Sequence, residues 1–432
     1  MLRSHSLAHE VTLALFTVGA ACGCSSSNKA NTPTDGGDNP PTDSGAVDAP
    51  AGGDGGADGG GYTPGFKADV GQIVQNGGPV VKSPKIVTVT WNADPNQAAL
   101  EAFGDALGGS SYWAAVVGEY GVGAAMSGAA NHAHVSTAPP ATQDNSALET
   151  WIGQQIQGAP GTGWPAADAS TIYAIYVPTG MILSSPGPYH GELAVGANAH
   201  VPYVVIDEND TGGRPALDAA TRNASHEIAE TATNPHNFSD LGVVGFDGTH
   251  IAWQMMASDS EIGDVCETNP DADFKGGADL PYLLQRLWSN KSASAGHSPC
   301  VPASAEPYYN VTPIDLETVS VFVNDASTAQ SGLGYRIGIG AKKTIKVGFY
   351  SDAPMSGPWT LTAVEGNWFS PATNHRLTIS VDQGSGKNGD TGMITVTAST
   401  QSTGLGNAVL MTITSQAPGL APHSVPVLIG TY

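Results

Sequence analysis

The sequence predicts a mixed fold: a layered α/β domain over residues 63–305, followed by an all-β sandwich over residues 306–432. In the first region, apolar runs of strand length alternate with stripes of helical spacing, the pattern of stacked helix and sheet layers. From about residue 306 the texture changes to short alternating strands parted by Gly-, Asn- and Asp-rich turns. Upstream, residues 25–62 hold almost no apolar side chain to bury, which sets the start of the folded region.

The N-terminus reads as an export signal. Arg3 precedes a short apolar segment, Val11 to Ala21, that ends in small residues. It is too short to cross a bilayer as a mature helix, so residues 1–24 are expected to be a lipoprotein-type signal peptide. Cys22 or Cys24 stands at the cleavage point, followed by Ser25-Ser26-Ser27-Asn28. Diacylation of one of them would tether the protein to a bacterial cell surface or outer membrane. Simple secretion, with both cysteines lost with the signal, is the alternative. Residues 25–62 are expected to be a disordered Gly/Asp/Pro tether. Its six aspartates show no period that would build a calcium-binding β-roll.

In the α/β region, Lys85–Trp91 reads as a buried strand carrying Ile86, Val87, Val89 and Trp91. Asn96–Leu107 reads as a helix with Leu100, Phe103 and Leu107 on one face, and Ser111–Tyr120 as a second. Ser146–Gln157 is a third helix, striped by Leu148, Trp151, Ile152 and Ile156; Thr171–Val177 and Val201–Ile206 are apolar strands. A fourth helix begins near Pro215 and ends before Pro235. Leu217, Ala220, Ala224 and Ile228 form its packing stripe. His226 and Glu230 share the opposite side with Asn223 and Thr233, and Glu227 lies at their flank. Beyond residue 306, the runs Thr318–Val323, Thr344–Tyr350, Trp359–Val364, Arg376–Val381, Gly392–Ala398, Ala408–Thr414 and Ser424–Gly430 suggest an immunoglobulin-like sandwich.

Charge excludes two classes of partner. With 39 acidic against 16 basic residues, the net charge is −23. Such a chain is repelled by nucleic acid and by anionic headgroups, so membrane contact is expected only through the N-terminal lipid. Cys266 and Cys300 are the remaining cysteines, and in an exported chain they are expected to pair with each other. Zinc ligation by the two is the weaker reading, since no second soft pair has zinc-site spacing.

The chemistry concentrates in Ser225-His226-Glu227-Ile228-Ala229-Glu230. A histidine and a carboxylate stand one helical turn apart, with a second carboxylate beside the histidine. This is the layout of a zinc-hydrolase helix, with Glu230 where a second histidine is usual. His226 and Glu230 can point at one cation, and Glu227 can take a proton from a water activated there. The α/β region is therefore expected to be a zincin-like layered domain.

A family resemblance supports this. His226-Glu227-Ile228-Ala229-Glu230, Thr233-Asn234-Pro235 and Glu261-Ile262-Gly263-Asp264-Val265-Cys266-Glu267 resemble the signature of the EXORDIUM (phosphate-induced) family. That family comprises plant extracellular proteins with exported bacterial relatives. Ile86 to Trp91, Ser111-Tyr112-Trp113 with Tyr120-Gly121, Tyr189-His190-Gly191, Val201-Pro202-Tyr203 and Leu284-Gln285-Arg286-Leu287-Trp288 are similar to further parts of its pattern. The likeness covers about residues 80–302 and implies an extracellular role; the family's biochemical activity is itself poorly defined.

Glu261 and Asp264 are the candidates for a third ligand, on a loop that a Cys266–Cys300 bridge would pin. His190 is a candidate further ligand or oxyanion stabiliser. One imidazole with two carboxylates is harder than zinc prefers, so zinc or another divalent metal (manganese, iron or calcium) is expected. His236, His132 and His134 are weaker candidates, and Asn223 and Thr233 are supporting residues at most. The expected function is a surface-tethered metal-dependent hydrolase, foremost a zinc metallopeptidase, acting as a monomer on peptide or a cell-surface polymer. The alternative is a non-catalytic adhesion or matrix protein of the EXORDIUM type, with a structural ion or none. A serine hydrolase is a distant third, because Ser225 and His226 are helix neighbours that do not face each other.

Overall fold

Strand-length apolar runs build a five-stranded sheet in the first half of the chain. They are Lys85–Trp91 (β1), His132–Val135 (β2), Thr171–Val177 (β3), Tyr189–Val195 (β4) and Asn198–Asp207 (β5), in the order β2-β1-β3-β5-β4. The first three and β5 run parallel; β4 lies antiparallel to β5 at the edge. The computed structural model describes residues 62–432, except 197, 210–212, 238, 258–260, 324–327, 367–371, 373–374 and 400–405. The expected signal peptide, Cys22, Cys24 and nearly all of the tether lie outside the described residues.

Every residue of β3 is buried, as a strand covered on both faces requires. Alternation sends its side chains to two cores. Ile172, Ala174 and Tyr176 join Ile86, Val204 and Ile206 beneath Gln97–Leu107 (α1), Ser111–Val117 (α2) and Ala216–Thr233 (α4). Tyr173, Ile175 and Val177 join Val87, Val89 and Val205 against Leu148, Ile152 and Ile156 of Asn145–Gln157 (α3). Helices α2 and α3 start on side-chain caps: Ser110 accepts from the Trp113 amide and Asp144 from the Ala147 amide. The helix expected over Ser111–Tyr120 stops at Val117 and tightens into a 3₁₀ turn, Gly118–Tyr120.

Ile251–Met256 (α5) and Asp264–Glu267 (α6) follow, with short antiparallel pairs between them and the chain's second half. The later strands are Tyr309–Pro313 (β6), Glu317–Val321 (β7), Gln330–Ile337 (β8), Lys342–Ser351 (β9), Trp359–Glu365 (β10), Leu377–Gln383 (β11), Thr391–Ala398 (β12), Ala408–Gln416 (β13) and His423–Thr431 (β14). One sheet has the order β6-β9-β12-β11. The other runs β7-β8-β14-β13-β10 and ends on the short strand Ser385–Gly386. Pairing is antiparallel except between β8 and β14, where Tyr335 lies beside Ile429 in a parallel register. The Trp359 ring, from the six-stranded sheet, sits 5.5 Å from Tyr309 and 5.4 Å from Phe349 of the other, so the two sheets share one core.

That core does not stop at residue 305. Leu333 of β8 donates its amide to the Thr249 carbonyl, and Ile251 of α5 sits against Gly332. The described residues from Tyr62 to Tyr432 belong to one compact unit. It is a mixed chain of helices and several sheets. Among the described residues, no helix is long and apolar enough to cross a membrane.

Candidate metal centre

Helix α4 packs on the sheet through Ala220, Ala224 and Ile228, as the apolar stripe requires. Its other side is not a solvated surface: from Ala219 to Thr233 only Asn223 escapes full burial. The strand Leu283–Gln285 covers it, held where Thr221 Oγ1 donates to the Leu283 carbonyl and the Gln285 amide donates to Ser225 Oγ. Ser225 Oγ also donates to the Arg222 carbonyl, so this hydroxyl has a structural place and faces no base.

Across the cleft from α4 lies the segment from Glu261 to Glu267. The Glu261 amide donates to Asp264 Oδ2, folding the loop on itself. The Trp288 amide donates to the Ile262 carbonyl, and the expected Cys266–Cys300 disulfide ties α6 to the strand pair beside Trp288. From the sheet, the first residues of β4 bring His190 to the same place.

His226 Nε2 lies 2.9 Å from Glu230 Oε2 and 3.8 Å from Asp264 Oδ1. Its Nδ1 is 3.0 Å from Gln285 Oε1. The orientation of that amide is set, because Gln285 Nε2 donates to the Gly263 carbonyl. Nδ1 of His226 therefore carries a proton, and Nε2 is the atom turned to the carboxylates. Glu230 divides its oxygens: Oε1 accepts from the Gly263 amide at 2.8 Å, and Oε2 faces the histidines. His190 Nδ1 lies 3.0 Å from Glu227 Oε2 and 3.9 Å from Glu230 Oε2. Its Nε2 is 3.6 Å from Glu261 Oε2, beyond hydrogen-bond length, and is buried with no hydrogen-bond partner. Asn234 secures Glu261 by donating to its Oε1, while Asn234 Oδ1 accepts from the Val243 amide.

These residues line an open cleft of about 740 Å³ with Arg222, Asn237, Gln254 and Glu267. Arg222 adds no free positive charge, since its guanidinium is committed to Glu267 at 2.7 Å and Asp273 at 3.1 Å. Four carboxylates, Glu227, Glu230, Glu261 and Asp264, thus face two imidazoles. Burial opposes the charged form of His190, yet Glu261, Glu227 and Glu230 raise its pKa to about 10. His226 is also raised well above its ordinary value: burial opposes the charge, but Glu230, Glu227 and Asp264 outweigh it. Glu230 is pushed up to about 8 by burial, with His226 pulling it down and Asp264 and Glu261 adding to the rise. Buried negative charge without a matching cation is costly, and a divalent ion is the compact remedy. The donors fit one: His226, Glu230 and Asp264 form one set with ligand atoms within 4.8 Å of one another, and His190, Glu230 and Glu261 form a second.

The structure thus brings His190, His226, Glu227, Glu230, Glu261 and Asp264 to one cleft, and divides the two third-ligand candidates between the histidines. Other sequence candidates lie elsewhere. His132 and His134 sit on β2 and pair with Glu101 at 3.3 and 2.7 Å. His236 stacks on His200 beside Glu192 in a separate, outward group. Thr233 bonds to the carbonyls of its own helix, and Asn223 donates to the Asp207 carbonyl, so neither supports the ligands directly. Sequence reasoning gave no role to Gln285, Asn234 or Gly263. A glutamine between the apolar Leu284 and Leu287 was the available signal for the first.

No family model matches the chain, and neither does any curated protein. Partial likenesses occur among solved structures. Domains 5–6 of the S-layer protein SbsC are 19% identical, covering 28% of this chain and 45% of that one, at a TM-score of 0.17. A chimeric titin Z1Z2 carrying an exogenous decorin peptide is 10% identical over 27% of this chain and 97% of that one, at 0.16. A Bacteroides ovatus GH5 xyloglucanase in complex with a heptasaccharide is 14% identical over 22% and 17%, at 0.14. The chain spans less than half the length of the first of these. Likenesses this slight carry neither fold nor function.

Proposed function

We propose that this protein is an exported, surface-tethered, metal-dependent hydrolase, foremost a metallopeptidase. The observation that carries the reading is the His226 arrangement. Its Nδ1 is locked by Gln285, its Nε2 is turned to Glu230 and Asp264, and Glu227 lines the same cleft. A ligating histidine is usually oriented in this way, through a fixed acceptor on its other nitrogen.

A divalent cation held by His226, Glu230 and Asp264 would activate a water and polarise a scissile carbonyl. Glu227 then serves as general base for that water. His190, held by Glu227 Oε2, turns its Nε2 edge toward Glu261 and is the residue to face a developing oxyanion. The peptide preference draws on β4. It is the outer strand of the sheet, and its Tyr189 and His190 line the cleft, so an extended peptide could pair along it. Zinc or another divalent metal fits; the oxygen-rich set also suits manganese. In the same proposal the first half is a zincin-like layered domain with an EXORDIUM-like signature, and the second an immunoglobulin-like sandwich.

The test is metal analysis of the purified protein with a peptide-library cleavage screen, before and after chelation. A divalent ion, cleavage that chelation abolishes, and a roughly 10²–10⁴-fold loss of kcat in Glu227→Gln with the ion retained are expected. Chelation that lowers Tm while no substrate is ever cleaved would instead assign the ion to a structural role in a non-catalytic surface protein.

A further inference from the structure

The His190 imidazole makes a contact pattern that a single cation at His226 does not use. Its Nδ1 is held by Glu227 Oε2, yet its Nε2 is buried, has no hydrogen-bond partner, and faces Glu261 Oε2 across 3.6 Å. An unpartnered imidazole nitrogen in a buried place is costly, and 3.6 Å is too long for a hydrogen bond. It is, however, the separation of two ligands on one ion: with metal–ligand bonds of about 2.0–2.2 Å at a tetrahedral angle, ligand atoms lie roughly 3.5 Å apart. His226 Nε2 and Asp264 Oδ1 have the same kind of spacing, 3.8 Å.

We propose that the cleft is a two-cation centre in which Glu230 is the shared ligand. One ion is held by His226, Glu230 and Asp264, and the second by His190, Glu230 and Glu261, each set having its ligand atoms within 4.8 Å of one another. Glu230 is prepared for sharing. Its Oε1 is taken by the Gly263 amide, so Oε2, which lies 2.9 Å from His226 Nε2 and 3.9 Å from Nδ1 on the near side of the His190 ring, is the oxygen left for both ions. Both histidines have the same construction: a fixed oxygen on Nδ1, from Gln285 or Glu227, and Nε2 toward the acids. Charge agrees, because of the five carboxylates that line the cleft Glu267 is matched by Arg222, and the other four match two divalent cations. Two-metal hydrolytic centres hold their ions roughly 3.5–4 Å apart, a spacing one shared carboxylate permits. Hard donors of this kind favour manganese, zinc or iron in the divalent state. Glu227 is then also the positioning residue for His190, whose Nε2 holds the second ion in place of facing an oxyanion.

This inference rests on reading the cleft as a cation centre, and its test separates the two. The full chain is stripped with chelator and reloaded with Mn²⁺ alone, with stoichiometry measured by equilibrium dialysis and coupling by electron paramagnetic resonance. Two ions per chain and an exchange-coupled signal are expected. His190→Ala and the milder His190→Gln should each drop to one ion with an uncoupled six-line signal, with circular dichroism confirming the fold. One ion per chain in the unaltered protein, unchanged in either variant, overturns the two-cation centre but leaves the single-cation hydrolase standing. No bound ion overturns both. Two uncoupled ions, one lost in His200→Ala rather than in the His190 variants, place the second ion in the outward Glu192, His200 and His236 group and also overturn the proposal.

Discussion

Gly263 shows how finely single residues shape the cleft. A Cβ at this position would stand 2.8 Å from Glu230 Oε1 and 2.8 Å from both Cε1 and Nδ1 of His226. Only a glycine lets the loop backbone approach His226 and Glu230 this closely and donate its amide to Glu230. Gly263→Ala should push both side chains away and weaken metal binding roughly 10–100-fold, the cost typical of losing an orienting partner, as isothermal titration would read. Gln285→Leu should weaken binding by at least a similar factor, because leucine keeps the volume but removes both the acceptor for His226 Nδ1 and the donor to the Gly263 carbonyl. Away from the cleft, Glu208 supplies a pH signature. Burial, with the Asp94 carboxyl beside it, raises its pKa to about 9. The native state then keeps a proton that the unfolded chain releases above about pH 4.5, so this contribution is complete in acid and is lost as pH rises through about 9. Glu208→Gln mimics the protonated acid, so its Tm should fall less than that of the parent between pH 6 and 9; equal slopes would refute the assignment. The closeness of His226 and Glu230 was legible in the sequence, since one helical turn fixes their common side. Gln285 and Gly263 were not, because they meet His226 only through distant chain segments.

Among the elements, α4 and the loop from Glu261 to Glu267 supply most of the centre, and the disulfide joins that loop to the chain 34 residues onward. Closing a loop of this length contributes about 3–4 kcal/mol in the chain-entropy model. Replacing Cys266 and Cys300 by serine should remove about that much in a denaturant titration. It should also weaken metal binding, because Glu261 and Asp264 would lose their anchored loop; unchanged metal affinity would show the loop to be held by its hydrogen bonds alone. Helix α4 was readable from its apolar stripe, but the stripe could not tell a solvated polar face from a buried one. The covering strand Leu283–Gln285 decides that. In the five-stranded sheet β2 and β4 were missed as independent elements, and in the second half β6 and β8. β2 has only four residues, and β4 carries Gly191 and Glu192 among its apolar positions, since an edge strand is buried on fewer sides.

At the scale of the molecule, the two halves depend on each other. Ile251, Trp253 and Met256 of α5 belong to the same core as Val425, Val427 and Leu428 of β14. A fragment ending at residue 305 should therefore expose this apolar face and aggregate, whereas residues 63–432 should remain soluble and monomeric in size-exclusion chromatography. A soluble, metal-binding 63–305 fragment would show the second half to be a dispensable attachment. The change of texture near residue 306 marks where the pattern of secondary structure switches, and local periodicity suffices for that. Periodicity also sufficed for α1, α3, α4, β1, β3, β7 and β9 to β14, because each depends on side chains a few residues apart. The order of the sheet, the antiparallel course of β4, the continuity of the core and the division of Glu261 and Asp264 between two histidines arise from contacts among residues far apart in the chain. Those contacts are set by packing and buried charge, which no local pattern records, and they bring a helix with one histidine and two glutamates against a second histidine and two further carboxylates.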